Sequence, residues 1–150
     1  MLRIIQVGMG GWGRDWAKSV IKKDDQVSLV ACVDAEPTSL ALARKELDLP
    51  SESYFTSLAA AMGAVDAGAV LITANLPGHV PLALEALGAG KHVLLEKPFA
   101  PSLNEARRVV DVAEKQYRVL LITQTYRFFP AVQAVRELIR SGFLGLGGRK

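Results

Sequence analysis

Short apolar runs alternate with helix-period segments along nearly the whole chain, and this alternation narrows the fold more than any other feature of the sequence. Residues 2–7, 27–33, 69–73, 93–95 and 119–123 read as strands, with Tyr54-Phe55 as a further short one. Residues 11–23, 38–47, 57–62, 79–89, 102–117 and 130–141 read as helices. Strands separated by helices predict a parallel sheet covered on both faces. The runs at 27–33 and 69–73 are continuously apolar, as strands buried on both faces should be. Right-handed crossovers then favour a doubly wound α/β sheet.

The helical spacing also assigns faces. Trp12, Trp16, Ala17, Val20 and Ile21 fall on one side of the first helix, and Val80, Ala83, Leu84 and Leu87 point inward from the fourth. Gly63 and Gly90 mark helix ends. Ser102 and Glu105 form a capping box, and Pro130 occupies a first-turn position that needs no N–H. Residues 1–143 read as one dinucleotide-binding domain, and residues 144–150 as a Gly-rich tail of different character.

Bulk properties exclude several classes of function. Half of the 150 residues are hydrophobic, and 22% are charged, which is a globular composition. The net charge of +3 is spread over scattered Lys and Arg, so nothing resembles a nucleic-acid-binding face. The single cysteine, Cys32, lies within an apolar strand and reads as a small core residue. The sequence shows no metal-ligand cluster, no secretory leader and no apolar run approaching the ~20 residues of a membrane helix. A soluble cytoplasmic protein is the expectation.

In doubly wound sheets ligands bind beyond the carboxyl ends of the strands, so the polar residues there matter most. The first strand runs into "VGMGGWG", in which Gly8, Gly10 and Gly13 form G-x-G-x-x-G between strand and helix. Gly8 allows the tight turn, Gly10 lets a pyrophosphate approach the backbone, and Gly13 lets the helix pack close to the strand. The N–H groups near Gly11 and Trp12 then face the phosphates. The second strand ends in Asp34, 21 residues after Gly13, where the dinucleotide fingerprint expects an acid on the adenosine ribose. Asp34 and Glu36 oppose a 2′-phosphate, which favours NAD over NADP. Thr73, Asn75 and His79 fall on the rim after the fourth strand. The fifth strand ends in Glu96-Lys97-Pro98, where partial desolvation of Lys97 would suit an amine that trades protons.

These stretches, with "GKHVLLEKPFAPSLNEA" at 90–106 and "YRFFP" at 126–130, resemble the Gfo/Idh/MocA oxidoreductases, the glucose–fructose oxidoreductase and inositol dehydrogenase group. The resemblance implies an NAD(P)-dependent dehydrogenase acting on a hydroxyl of a sugar or cyclitol. It implies that Lys97 stands near the nicotinamide, that Thr73, Ala74, Asn75, His79 and Glu96 line the cofactor groove, and that the Lys97–Pro98 bond is cis. The chain departs from the family where Ala74 replaces a frequent Pro and Thr125 a frequent Asn. Family members continue into a second α/β domain that supplies much of the substrate pocket. For residues 1–150 alone the expectation is therefore cofactor binding with little turnover, and a homo-oligomer or an aggregation-prone chain, with Phe143, Leu144 and Leu146 as candidates for the uncovered apolar surface. A regulatory nucleotide-binding module is the alternative from another class. A methyltransferase-like domain would need a different loop after the first strand.

Overall fold

The computed structural model describes residues 1–143 and 145, so Leu144 and Leu146, and with them nearly all of the tail expected at 144–150, lie outside the described residues. Six strands form one sheet: β1 (Leu2–Val7), β2 (Val27–Val33), β3 (Tyr54–Phe55), β4 (Ala69–Ile72), β5 (His92–Leu95) and β6 (Leu120–Ile122). Their order is β3-β2-β1-β4-β5-β6, and every neighbouring pair is parallel. The order reverses direction between β1 and β4, the switch point at which such sheets open a crevice.

Six α-helices connect and follow the strands: α1 (Gly11–Ser19), α2 (Pro37–Glu46), α3 (Leu58–Ala64), α4 (Leu76–Gly88), α5 (Leu103–Lys115) and α6 (Pro130–Arg140). Alternate strand residues divide between the two faces of the sheet, as the two-residue period of a strand requires. Ile5, Val7, Val70, Ile72, Val93 and Leu95 pack in one buried cluster with residues of α3, α4 and α5. On the opposite face, Ile4, Ala69 and Leu71 meet Ile21, while Met9 and Cys32 meet α1 and α2. Cys32 is fully buried, and burial pushes its thiol up to about 12, in keeping with a core residue.

The helices differ in detail from the sequence expectation. The first ends at Ser19 and is followed by a separate 3-10 turn at Ile21–Lys23. Its buried line is Gly13, Ala17 and Ile21, whereas Trp12 and Val20 are exposed. The small residues let the helix approach the sheet closely, which swings the neighbouring Trp12–Val20 line aside. The third runs through Gly63 to Ala64, with Ser57 as its cap accepting from the Ala60 N–H. The fourth begins at Leu76 rather than at residue 79, because Pro77 is suited to a first turn. Leu84 is only half-buried. Ser102 caps α5 by accepting from the Glu105 N–H, while its hydroxyl donates to the Glu105 carboxylate. No residue of α6 is buried, although the helix is amphipathic.

Candidate cofactor site

The register of the sheet assembles the site. Val7 lies opposite Val33 and Ile72, Ile72 opposite Leu95, and Leu95 opposite Ile122. The next residue on each strand is therefore Gly8, Asp34, Thr73, Glu96 or Thr123, and these five stand along one rim.

The glycine loop spans the switch point. Gly8 has φ +95°, a conformation that L side chains rarely adopt, and a Cβ there would lie 2.4 Å from the Ala74 nitrogen. A Cβ on Gly13 would lie 1.8 Å from the Gly8 carbonyl oxygen, so the first turn of α1 rests directly on the loop. Gly10 and Gly11 differ from both, since a Cβ on either would meet nothing within 4 Å. They face open space at an α1 N-terminus whose cap makes no side-chain hydrogen bond. Unpaired N–H groups beside a bare backbone make a cradle for an anion. Trp12 stands beside it with an exposed side chain.

Asp34 is fixed before any ligand arrives. One carboxylate oxygen accepts from the Met9 N–H at 2.7 Å and the other from the Glu36 N–H at 2.9 Å. The same carboxylate thereby holds the glycine loop against its own turn. Gly8, Gly10, Asp34, Glu36, Thr73 and Asn75 are among the residues lining a cleft of about 460 Å³, and no Lys or Arg among the described residues lines it.

Beneath the loop lies a network that the sequence reading missed. Gln6 is fully buried, and its amide donates to the Gly13 carbonyl (2.7 Å) and to the Thr73 hydroxyl (3.1 Å). The Thr73 hydroxyl donates in turn to the Gly8 carbonyl at 2.7 Å. Thr73 thus turns its hydroxyl inward and steadies the loop. Ala74 and Asn75 remain on the cleft wall.

The fifth strand end is wired in the same manner. Glu96 is buried, and its carboxylate accepts from the Trp16 indole N–H (3.1 Å) and the Thr123 hydroxyl (2.7 Å). The Lys97 N–H donates to Thr123 Oγ1 at 3.2 Å. Lys97 itself is exposed, and its ammonium makes no hydrogen bond or ion pair among the described residues. The partial burial expected of that ammonium is not found in this chain. The Lys97–Pro98 peptide is cis, as the family resemblance implies. His79 is buried beneath the rim, with Nδ1 2.8 Å from the Pro98 carbonyl and Nε2 3.0 Å from the Ala74 carbonyl.

A reversing parallel sheet, a glycine cradle at a helix N-terminus and an acid at the end of the second strand together define a dinucleotide-binding Rossmann domain. The chain belongs to the Gfo/Idh/MocA oxidoreductase family, whose NAD-binding Rossmann-fold domain its residues 2–124 match. An inositol 2-dehydrogenase of Corynebacterium glutamicum is 29% identical over 145 residues, covering 96% of this chain and 42% of that protein. A D-apiose dehydrogenase of Paraburkholderia graminis is 31% identical over 121 residues, covering 81% of this chain and 32% of that protein. The structure of apo scyllo-inositol dehydrogenase from Lactobacillus casei superposes with a TM-score of 0.85 at 26% identity, covering 97% of this chain and 43% of that one. The chain thus spans less than half the length of these relatives. Among the described residues no helix is long and apolar enough to cross a membrane.

Proposed function

We propose that the chain is the cofactor-holding part of an NAD-dependent dehydrogenase that oxidises a hydroxyl of a sugar or cyclitol. The observation that carries the reading is the cleft beside the glycine loop, which has a fixed Asp34 carboxylate and, among the described residues, no basic lining residue. The space over Gly10 and Gly11 fits a pyrophosphate, and Asp34 fits the adenosine ribose hydroxyls. A 2′-phosphate would meet Asp34 and Glu36 with no Lys or Arg in the cleft lining to offset them. Asn75 and Ala74 carry the cofactor groove toward the fifth strand, with Glu96 as its buried support.

Bound NAD supplies the hydride acceptor at nicotinamide C4. The chain supplies geometry and a proton site. The Lys97 Nζ, without a partner among the described residues, holds the substrate hydroxyl and, as the neutral amine, would receive its proton as the alcohol carbon loses hydride. Residues 1–150 form one wall of the substrate position, so this chain alone binds NAD and shows negligible turnover of sugars or cyclitols. Positioning of the kind a second wall provides is worth on the order of 7–11 kcal/mol of barrier.

Thermal melting tests the cofactor choice. A ligand at ~100 times its dissociation constant adds about 2.7 kcal/mol of stability. NAD should reach that stabilisation at a lower concentration than NADP, and Asp34→Ser should narrow the gap. Equal or greater stabilisation by NADP sinks the assignment.

A further inference from the structure

His79 presents an unusual arrangement for a buried side chain. It is 2% exposed, and both ring nitrogens face backbone carbonyl oxygens, one on each of two rim segments. Ala74 belongs to the turn that closes over Gly8, and Pro98 follows the exposed Lys97. The imidazole therefore spans the gap between the glycine-loop side of the cleft and the segment that carries the amine. Thr123 holds that segment from the other side, accepting the Lys97 N–H at 3.2 Å while its own hydroxyl is tied to buried Glu96. The main chain is thus held by a buried polar side chain before Lys97, at its own N–H, and again one residue after it, at the Pro98 carbonyl, whereas the Lys97 side chain has no partner among the described residues.

We propose that His79 is a positioning residue for Lys97: through its Nδ1 contact with the Pro98 carbonyl it sets where the Lys97 amine stands relative to the dinucleotide held by the glycine loop. On this reading the ring N–H sits on Nδ1 and donates to the Pro98 carbonyl, and His79 does not touch the cofactor, because its ring is enclosed between two backbone carbonyls. The inference rests on the proposed role of Lys97 as the proton site. A flexible side chain on a wandering main chain would place its Nζ over a wide arc. Holding the main chain on both sides confines that arc, and an error of ~1 Å in such placement can cost on the order of 10²-fold in rate.

The two ring nitrogens can be separated by substitution. An Asn amide reaches about as far as Nδ1 and a Gln amide about as far as Nε2, so His79→Asn can keep the Pro98 contact and His79→Gln the Ala74 contact. The readout is the ¹³C-dimethyl signal of reductively methylated Lys97, assigned by its loss in Lys97→Arg and followed as NAD is added. Binding of NAD is measured separately by calorimetry, and folding by thermal melting. The expected result is an NAD-induced shift of the Lys97 signal in the wild type and in His79→Asn. In His79→Gln that shift is lost while NAD still binds.

Identical behaviour of the two variants would mark a packing role and overturn the proposal, as would retention of the shift in Gln and loss in Asn. A wild-type Lys97 signal that ignores bound NAD overturns the proposal and leaves the cofactor reading standing. Absence of NAD binding removes both. Should His79→Gln fail to fold, Thr123→Val releases the grip on the other side and must also abolish the shift. A shift that persists there refutes the bracing argument.

Discussion

Helices α5 and α6 have closely similar amphipathic patterns and opposite fates. The first buries Val109 and Ala113 against the sheet, whereas the second buries nothing and leaves Val132, Val135 and Ile139 at least two-fifths exposed. Its main contacts are with the 3-10 turn just before it, Thr125–Phe128. An apolar stripe specifies a packed helix only where another surface stands ready to meet it. Near the glycine loop such surfaces are supplied on every side, by Gln6 and Thr73 below, Asp34 beside and Ala74 across. Around α6 the described residues supply none.

The contrast is open to direct attack. Gly13→Ala puts a methyl 1.8 Å from the Gly8 carbonyl, and Gly10→Ala puts one in open space. The first should cost more than ~4 kcal/mol or prevent folding in urea titrations. The second should leave stability within about 0.5 kcal/mol and instead weaken NAD binding. If both fold equally well, the loop is not locked as described. Next in size, Leu87→Ala in the fully buried core should cost about 2–5 kcal/mol. Ile139→Ala on the exposed stripe should change stability by less than about 0.5 kcal/mol. A large loss at Ile139 would reveal a partner for α6.

The last effect appears only at alkaline pH and concerns Cys32. Its thiol holds its proton to about 12 in the fold, against an ordinary 9.0, because burial penalises the thiolate. The unfolded chain therefore ionises first, and stability falls as pH rises from about 9.0 toward 12, by up to ~1.4 kcal/mol per pH unit. Tyr54, raised from 10.0 chiefly by burial, adds a loss of the same sign. Denaturation curves for Cys32→Ala should show a shallower alkaline decline, and an unchanged slope would place the loss elsewhere.

The strand ends were legible in the sequence because each combines an apolar run with an abrupt polar residue. Register then does the rest, which is why Gly8, Asp34, Thr73 and Glu96 share a rim. The supports beneath them were not legible. Gln6 looks like a polar interruption of a strand, and its partner Thr73 is 67 residues away. Trp16 falls on the apolar side of the first helix, but nothing local reveals that its indole reaches Glu96, 80 residues on. His79 was expected to line the groove by resemblance, and its enclosure between two carbonyls is visible only once β4 and β5 are adjacent. Residues 130–141 read as a helix from their pattern, yet no local pattern tells whether anything covers the apolar stripe that α6 carries.

The shared register also sorts the molecule into places that accept new sequence and places that refuse it. A strand side chain changes faces with each single-residue step, so one residue inserted within β1, β4 or β5 would turn a rim group into a core group and the reverse. At the far edge of the sheet no such bookkeeping applies. Asp24 and Asp25 are exposed there in the link between the Ile21–Lys23 turn and β2. A fluorescent peptide or affinity tag grafted between them would hang from the end remote from the cleft, giving a labelled sensor whose binding rim is untouched.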